Sequence, residues 1–159
     1  MSRMFIQITA IILAIATLSP AAEGNQHSKI TTYPSIVGAV QFPKRKMSFV
    51  RHSIKIQIPE NAQAISQLKI NVPSGLKVEN DITIHDESKE KIAANILVNE
   101  STIIIDFPQP PKPQSRLEID MNRVKMTGAS NVFTYRVFAK FVGIESELNL
   151  GIAEIRTSR

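Results

Sequence analysis

The chain reads as all-β: an immunoglobulin-like β-sandwich of about eight or nine strands, preceded by a cleavable signal peptide. Three observations predict this. Apolar residues alternate at period two in one segment after another. Proline, glycine, asparagine and aspartate break those segments at intervals of about 8–12 residues. No segment sustains the 3.6-residue period of an amphipathic helix.

The clearest alternation runs from Asn131 to Gly143. One phase is Phe133, Tyr135, Val137, Ala139 and Phe141; the other is Val132, Thr134, Arg136, Phe138, Lys140 and Val142. One wholly apolar face and one mixed face describe a strand laid across a core. Three of the seven phenylalanines fall inside this stretch, so it is expected to hold the middle of the interior.

At 159 residues, 43% hydrophobic and 21% charged, the chain has the length and composition of one globular domain. It contains no cysteine, which excludes disulfides, Cys-ligated zinc, iron–sulfur clusters, a cysteine nucleophile and a lipoprotein anchor. The net charge of +5 is spread along the chain, and the one tight cluster is Lys44, Arg45 and Lys46, followed by Arg51. Nucleic-acid modules interleave such clusters with aromatics, an arrangement absent from the linear sequence, so a solvated surface is the reading here.

Met1–Ala22 has the pattern of a targeting segment: Arg3, an apolar run from Phe5 to Leu18, then Ser19, Pro20, Ala21 and Ala22. The run is shorter than the roughly 20 residues a membrane-spanning helix needs. Residues 1–21 are expected to be a signal peptide cleaved after Ala21, residues 22–34 a mobile lead-in, and residues 35–159 a single β-sandwich domain.

Strands come in order along the mature chain. Ser35–Phe42 is bracketed by Pro34 and Pro43 and weakened by Gly38. In Phe49–Ile58, Val50, His52, Ile54, Ile56 and Ile58 share one face. Ala62–Ile65 fits a single helical turn. Gln67–Val72 alternates again, and Pro73-Ser74-Gly75 turns the chain. Leu76 and Val78 continue, and Ile82 and Ile84 are expected to pair with the segment after the polar loop Asp86–Lys91. Ile92–Val98 and Thr102–Phe107 form a hairpin, and the run Ile103, Ile104, Ile105 predicts a strand covered on both faces. Pro108-Gln109-Pro110-Pro111-Lys112-Pro113 cannot donate ladder hydrogen bonds and reads as an extended crossover between sheets. Leu117, Ile119 and Met121 alternate with Glu118, Asp120 and Asn122. In Glu147–Thr157 the apolar phase changes, and a bulge at Gly151 would reconcile its halves.

Five phrases in this order carry a resemblance: Ile58-Pro59-Glu60-Asn61-Ala62, Val72-Pro73-Ser74-Gly75-Leu76, Leu117-Glu118-Ile119-Asp120, Tyr135-Arg136-Val137-Phe138-Ala139-Lys140, and Val142-Gly143-Ile144 with Leu150-Gly151-Ile152-Ala153. The chain resembles the domain-of-unknown-function 2808 family, small exported cyanobacterial proteins, from about Phe42 to Thr157. The resemblance implies a periplasmic or cell-envelope location and carries over no activity and no catalytic residue.

His52 is in phase with a core face, where a neutral imidazole with one hydrogen-bond partner is the ordinary outcome. The sharper alternative is an envelope copper carrier, with His27, His52 and His85 and Met47, Met121 and Met126 as soft ligands. None of those histidines is paired at i, i+2 or i, i+4. Glu118 and Asp120 share a strand face, and Asp81, Asp86 and Glu87 lie near turns, but no calcium-loop spacing occurs and alternating charges normally mark a wet face. Composition leaves a Ser–His–Asp triad open, although there is no Gly-x-Ser-x-Gly elbow and no glycine-rich phosphate loop. Arg136, Phe138 and Lys140 on the mixed face, and the proline run, could equally be plain structure or docking surface. The expectation is therefore a periplasmic or secreted, non-enzymatic binding or structural module. It has no catalytic, cofactor or metal residues, and its partner is an envelope protein or polysaccharide. Nucleic acid is not a partner, and no stable membrane insertion follows signal cleavage.

Overall fold

The structure, a computed structural model, describes residues 32–158. The expected signal peptide, its cleavage site, His27 and the lead-in as far as Thr31 lie outside the described residues. Among the described residues there are ten strands and no helix: β1 (Ser35–Phe42), β2 (Val50–Ile58), β3 (Ile65–Asn71), β4 (Leu76–Val78), β5 (Ile82–His85), β6 (Asn95–Val98), β7 (Thr102–Asp106), β8 (Ser115–Met126), β9 (Val132–Phe141) and β10 (Ile144–Arg156). Two antiparallel sheets stack face to face, making an immunoglobulin-like β-sandwich. Sheet one is ordered β1-β2-β8, and β8 takes both β4 and β5 along its far side. Sheet two is ordered β10-β9-β3-β7-β6.

The alternating phases read from the sequence are the inward faces. Ile54, Ile56, Leu117, Ile119 and Met121 of sheet one meet Leu68, Ile70, Ile103, Ile105, Phe133, Tyr135 and Val137 of sheet two, all essentially inaccessible to water. Phe133, Tyr135 and Phe141 are buried, as the alternation of β9 predicts. The proline run crosses from β7 in sheet two to β8 in sheet one. Gly75 turns the chain at φ 85°, a backbone conformation that costs glycine no Cβ clash. In β10 the register against β9 shifts between Asn149 and Gly151, and Gly151 sits at φ 123°. This is the expected bulge, and it brings Ala153 and Ile155 onto the core face.

Three local expectations change. Ala62–Ile65 is not a helical turn: Ala62 N–H donates to the Pro59 carbonyl at 3.2 Å, closing a β-turn, and β3 already begins at Ile65. β5 does not form a hairpin with the segment after Lys91. A single bridge, His85 to Lys91, starts one, but β5 pairs with β8 and the chain leaves for sheet two. Ile104 is only half-buried, because one face of β7 looks out of sheet two beside the exposed Leu97.

Candidate functional site

His52 lies on the inward face of β2, and the interior gives it two partners. Its Nδ1 is 2.6 Å from Tyr135 Oη on β9, and its Nε2 is 3.0 Å from Gln41 Oε1 on β1. Gln41 Nε2 faces the carbonyl oxygens of Pro43, Lys44 and Arg45 at 2.9, 3.3 and 3.2 Å, which fixes which end of its amide is NH₂. Gln41 Oε1 can only accept, so His52 Nε2 carries the proton and Tyr135 O–H donates to Nδ1. Burial holds the imidazole neutral, lowering its pKa from 6.5 to about 4, and pushes the Tyr135 phenol up. Thr157 Oγ1 extends the chain, 3.1 Å from Gln41 Nε2 and donating to the Lys44 carbonyl at 3.0 Å. Both nitrogens of His52 are thus committed within the fold. The network ties sheet one to sheet two and holds the β1–β2 connection.

The next residue, Ser53, points to the opposite face of β2. Its hydroxyl donates to Asp120 Oδ1 on β8, and His85 Nδ1 of β5 lies 3.6 Å from Asp120 Oδ2. Lys89 reaches back from the Asp86–Lys91 turn to donate to Glu118, with Lys55 Nζ 3.6 Å from the other carboxylate oxygen. The Lys89 hydrogen bond, against a smaller opposing effect of partial burial, holds the Glu118 carboxyl below the usual carboxylate range. A serine, a histidine and an aspartate do meet here, but in the wrong order for hydrolysis. In a triad the imidazole sits between hydroxyl and carboxylate to take the hydroxyl's proton. Here the carboxylate is between, and Ser53 is inaccessible. The wet-face expectation also fails for Asp120, which is 8% exposed, because β5 covers it.

A groove of about 500 Å³ opens between the proline crossover and the segment after β5. Pro108, Gln109, Pro110 and Pro111 make one wall, and Asp86, Glu90, Ile92 and Ala93 line the other. The second wall is internally braced: Asp86 Oδ1 accepts from the Glu90 N–H at 2.9 Å, and Asp86 and Glu90 also pair through their backbones. Its lining includes no aromatic side chain.

A family profile described as "Protein of unknown function (DUF2808)" matches residues 28–155. The chain belongs to the DUF2808 family. No curated protein matches it. Solved structures similar to this DUF2808 chain include the N-terminal domain of the Streptococcus gordonii adhesin Sgo0707, at 10% identity and TM-score 0.56, over 82% of this chain and 34% of that one. BslA, a bacterial hydrophobin, is 19% identical with TM-score 0.51, over 79% of this chain and 91% of that one. The collagen-binding subdomain ACE19 of the Enterococcus faecalis surface protein ACE is 11% identical with TM-score 0.50, over 75% and 94%. At such identities the likeness is one of fold.

Among the described residues the copper-carrier set is not assembled in this DUF2808 fold. His52 faces the interior and His85 the outer surface of the same sheet, so the two cannot share an ion. Met121 is buried, Met126 is half-buried and Met47 is exposed at the end of the sandwich where β2 begins. Among the described residues no three histidines or carboxylates converge as a metal site. Phe138 lies under Lys69 Nζ at 4.9 Å on the outer face of sheet two, with Arg136 and Lys140 on the same face. Sequence reasoning missed the groove wall at Asp86–Ala93, whose only linear signal was its polarity. It also missed that Phe42 and Phe49 come to lie against arginines.

Proposed function

We propose that this DUF2808 chain is an exported, non-enzymatic β-sandwich, a single domain over residues 35–159, that binds an extended segment of an envelope protein in the proline-walled groove. The groove carries the proposal. Pro108, Pro110 and Pro111 on that wall have no N–H, so it offers acceptors in place of donors at these positions and cannot close against its neighbour as a sheet. An extended peptide supplies the N–H groups such a wall lacks, in the manner of extended-chain recognition on other domains. The absence of an aromatic lining disfavours a sugar polymer, which stacks on such rings. Export is supported by the apolar Phe5–Leu18 run with its small residues at 19–22. The similar folds of a surface adhesin and a hydrophobin are in keeping with a binding or structural role and carry no partner across.

The test is photo-crosslinking in envelope extract from Gln109, on the groove rim, with and without Ala93→Trp, which fills the groove from an exposed position. A discrete crosslinked protein that disappears with Ala93→Trp is the expected result. A crosslink pattern indifferent to that substitution, or none at all, sinks the groove as the binding site.

A further inference from the structure

The β1–β2 connection forms a cationic, apolar tip at the end of the sandwich away from the groove: β2 and β8 run from the tip, at Val50 and Val124, to the groove end, at Ile58 and Ser115. Lys44, Arg45, Lys46 and Arg51 fall within eight residues, and none of them makes an ion pair among the described residues. Among them stand three exposed apolar side chains: Phe42, Met47 and Phe49 are 46%, 47% and 36% exposed. The backbone beneath is fixed from inside. Gln41 Nε2 takes the carbonyls of residues 43–45, Thr157 and Ser158 both donate to the Lys44 carbonyl, and Arg45 bridges Ser158. With those carbonyls turned inward, the basic side chains of residues 44–46 are all exposed. We propose that this tip docks the domain on an anionic lipid surface, with Phe42, Met47 and Phe49 entering the headgroup layer and Lys44, Arg45, Lys46 and Arg51 meeting the phosphates.

Charge complementarity requires an anionic partner, and the aromatic geometry selects which. A nucleic-acid site offers open ring faces for bases to stack on. Here the Phe42 ring is covered by the Arg51 guanidinium at 5.1 Å and the Phe49 ring by that of Arg123 at 4.2 Å. Arg123 is itself held by Glu79 at 2.6 Å. One face of each ring is therefore already taken by a cation. Protruding apolar groups ringed by basic ones are the composition of interfacial membrane contacts, which lie on the bilayer without spanning it.

Because the chain has no cysteine, Met47→Cys carries a single environment-sensitive dye at the tip, and Glu87→Cys carries it at the exposed turn near the groove. With the full chain, the dye at Met47→Cys should shift to the blue on vesicles of mixed phosphatidylglycerol and phosphatidylcholine. It should not shift on phosphatidylcholine alone, and the dye at Glu87→Cys should not shift on either. Each basic side chain near such a surface contributes roughly fivefold in partitioning. Lys44→Gln, Arg45→Gln and Lys46→Gln together should thus weaken vesicle binding on the order of a hundredfold. A shift equal at both dye positions, or absent at Met47→Cys, overturns the proposal. So does binding to dextran sulfate or DNA that survives Phe42→Ser and Phe49→Ser while vesicles go unbound, for the tip would then be a polyanion site.

Discussion

His52 and Ser53 are neighbours on one strand, yet they build opposite kinds of polar cluster. Inside, His52, Tyr135, Gln41 and Thr157 form a chain with no formal charge, in which the protons on His52 Nε2 and Tyr135 Oη each have one assignment. Outside, Ser53, Asp120, His85, Glu118, Lys55 and Lys89 form a charged lattice that keeps contact with water at its margin. The difference follows from desolvation. A charge in the dry interior would cost several kcal/mol, so the inner cluster stays neutral and fixes geometry, whereas the outer one can remain ionised for little gain.

The comparison can be broken from the inside first. His52→Ala leaves Tyr135 Oη and Gln41 Oε1 without their partner and opens a void beside Phe133, and should lower stability by about 3–5 kcal/mol in urea unfolding. A loss below about 1 kcal/mol would show that the inner network holds nothing. The pH dependence comes next. The unfolded chain takes up a proton on His52 below about pH 6.5, but the folded chain does so only near pH 4, so stability falls as pH drops through that window and is flat above it. The fall attributable to His52 is about 3 kcal/mol, and a His52→Leu variant should lack it when denaturation midpoints are followed from pH 7 to pH 4.

The outer cluster should respond less. Ser53→Ala removes a hydrogen bond to a carboxylate and should cost about 1.5–3 kcal/mol in thermal unfolding. The smallest effect belongs to Lys89, whose side chain is 70% exposed: Lys89→Ala should change stability by no more than about 0.5 kcal/mol, and half-molar salt should erase even that. An outer-cluster loss as large as that of His52→Ala would dissolve the distinction.

Much of this was legible because burial on one face writes itself as alternation. The inward residues of β2, β8 and β9, the Gly75 turn, the proline crossover and the Gly151 bulge could all be read from spacing alone. What escaped depends on who lies beside whom. β5 is four residues long, and its brief alternation of Ile82 and Ile84 does not reveal that it would seek β8 in place of its sequence neighbour. Asp120 looked wet because its own strand says nothing about the covering strand. The same holds at the tip. Phe42, Arg51, Phe49 and Arg123 come from β1, β2, β8 and the connection before β2, and only strand register brings rings and guanidinium groups together.

The first and last strands touch and run the same way: β1 and β10 are in contact, and each travels from the groove end to the tip end. A pull applied between residues 35 and 156 would therefore act along the strand axes. The rungs joining β1 to β2 would be loaded together in shear instead of opening one after another, a geometry that resists mechanical extension without any covalent crosslink.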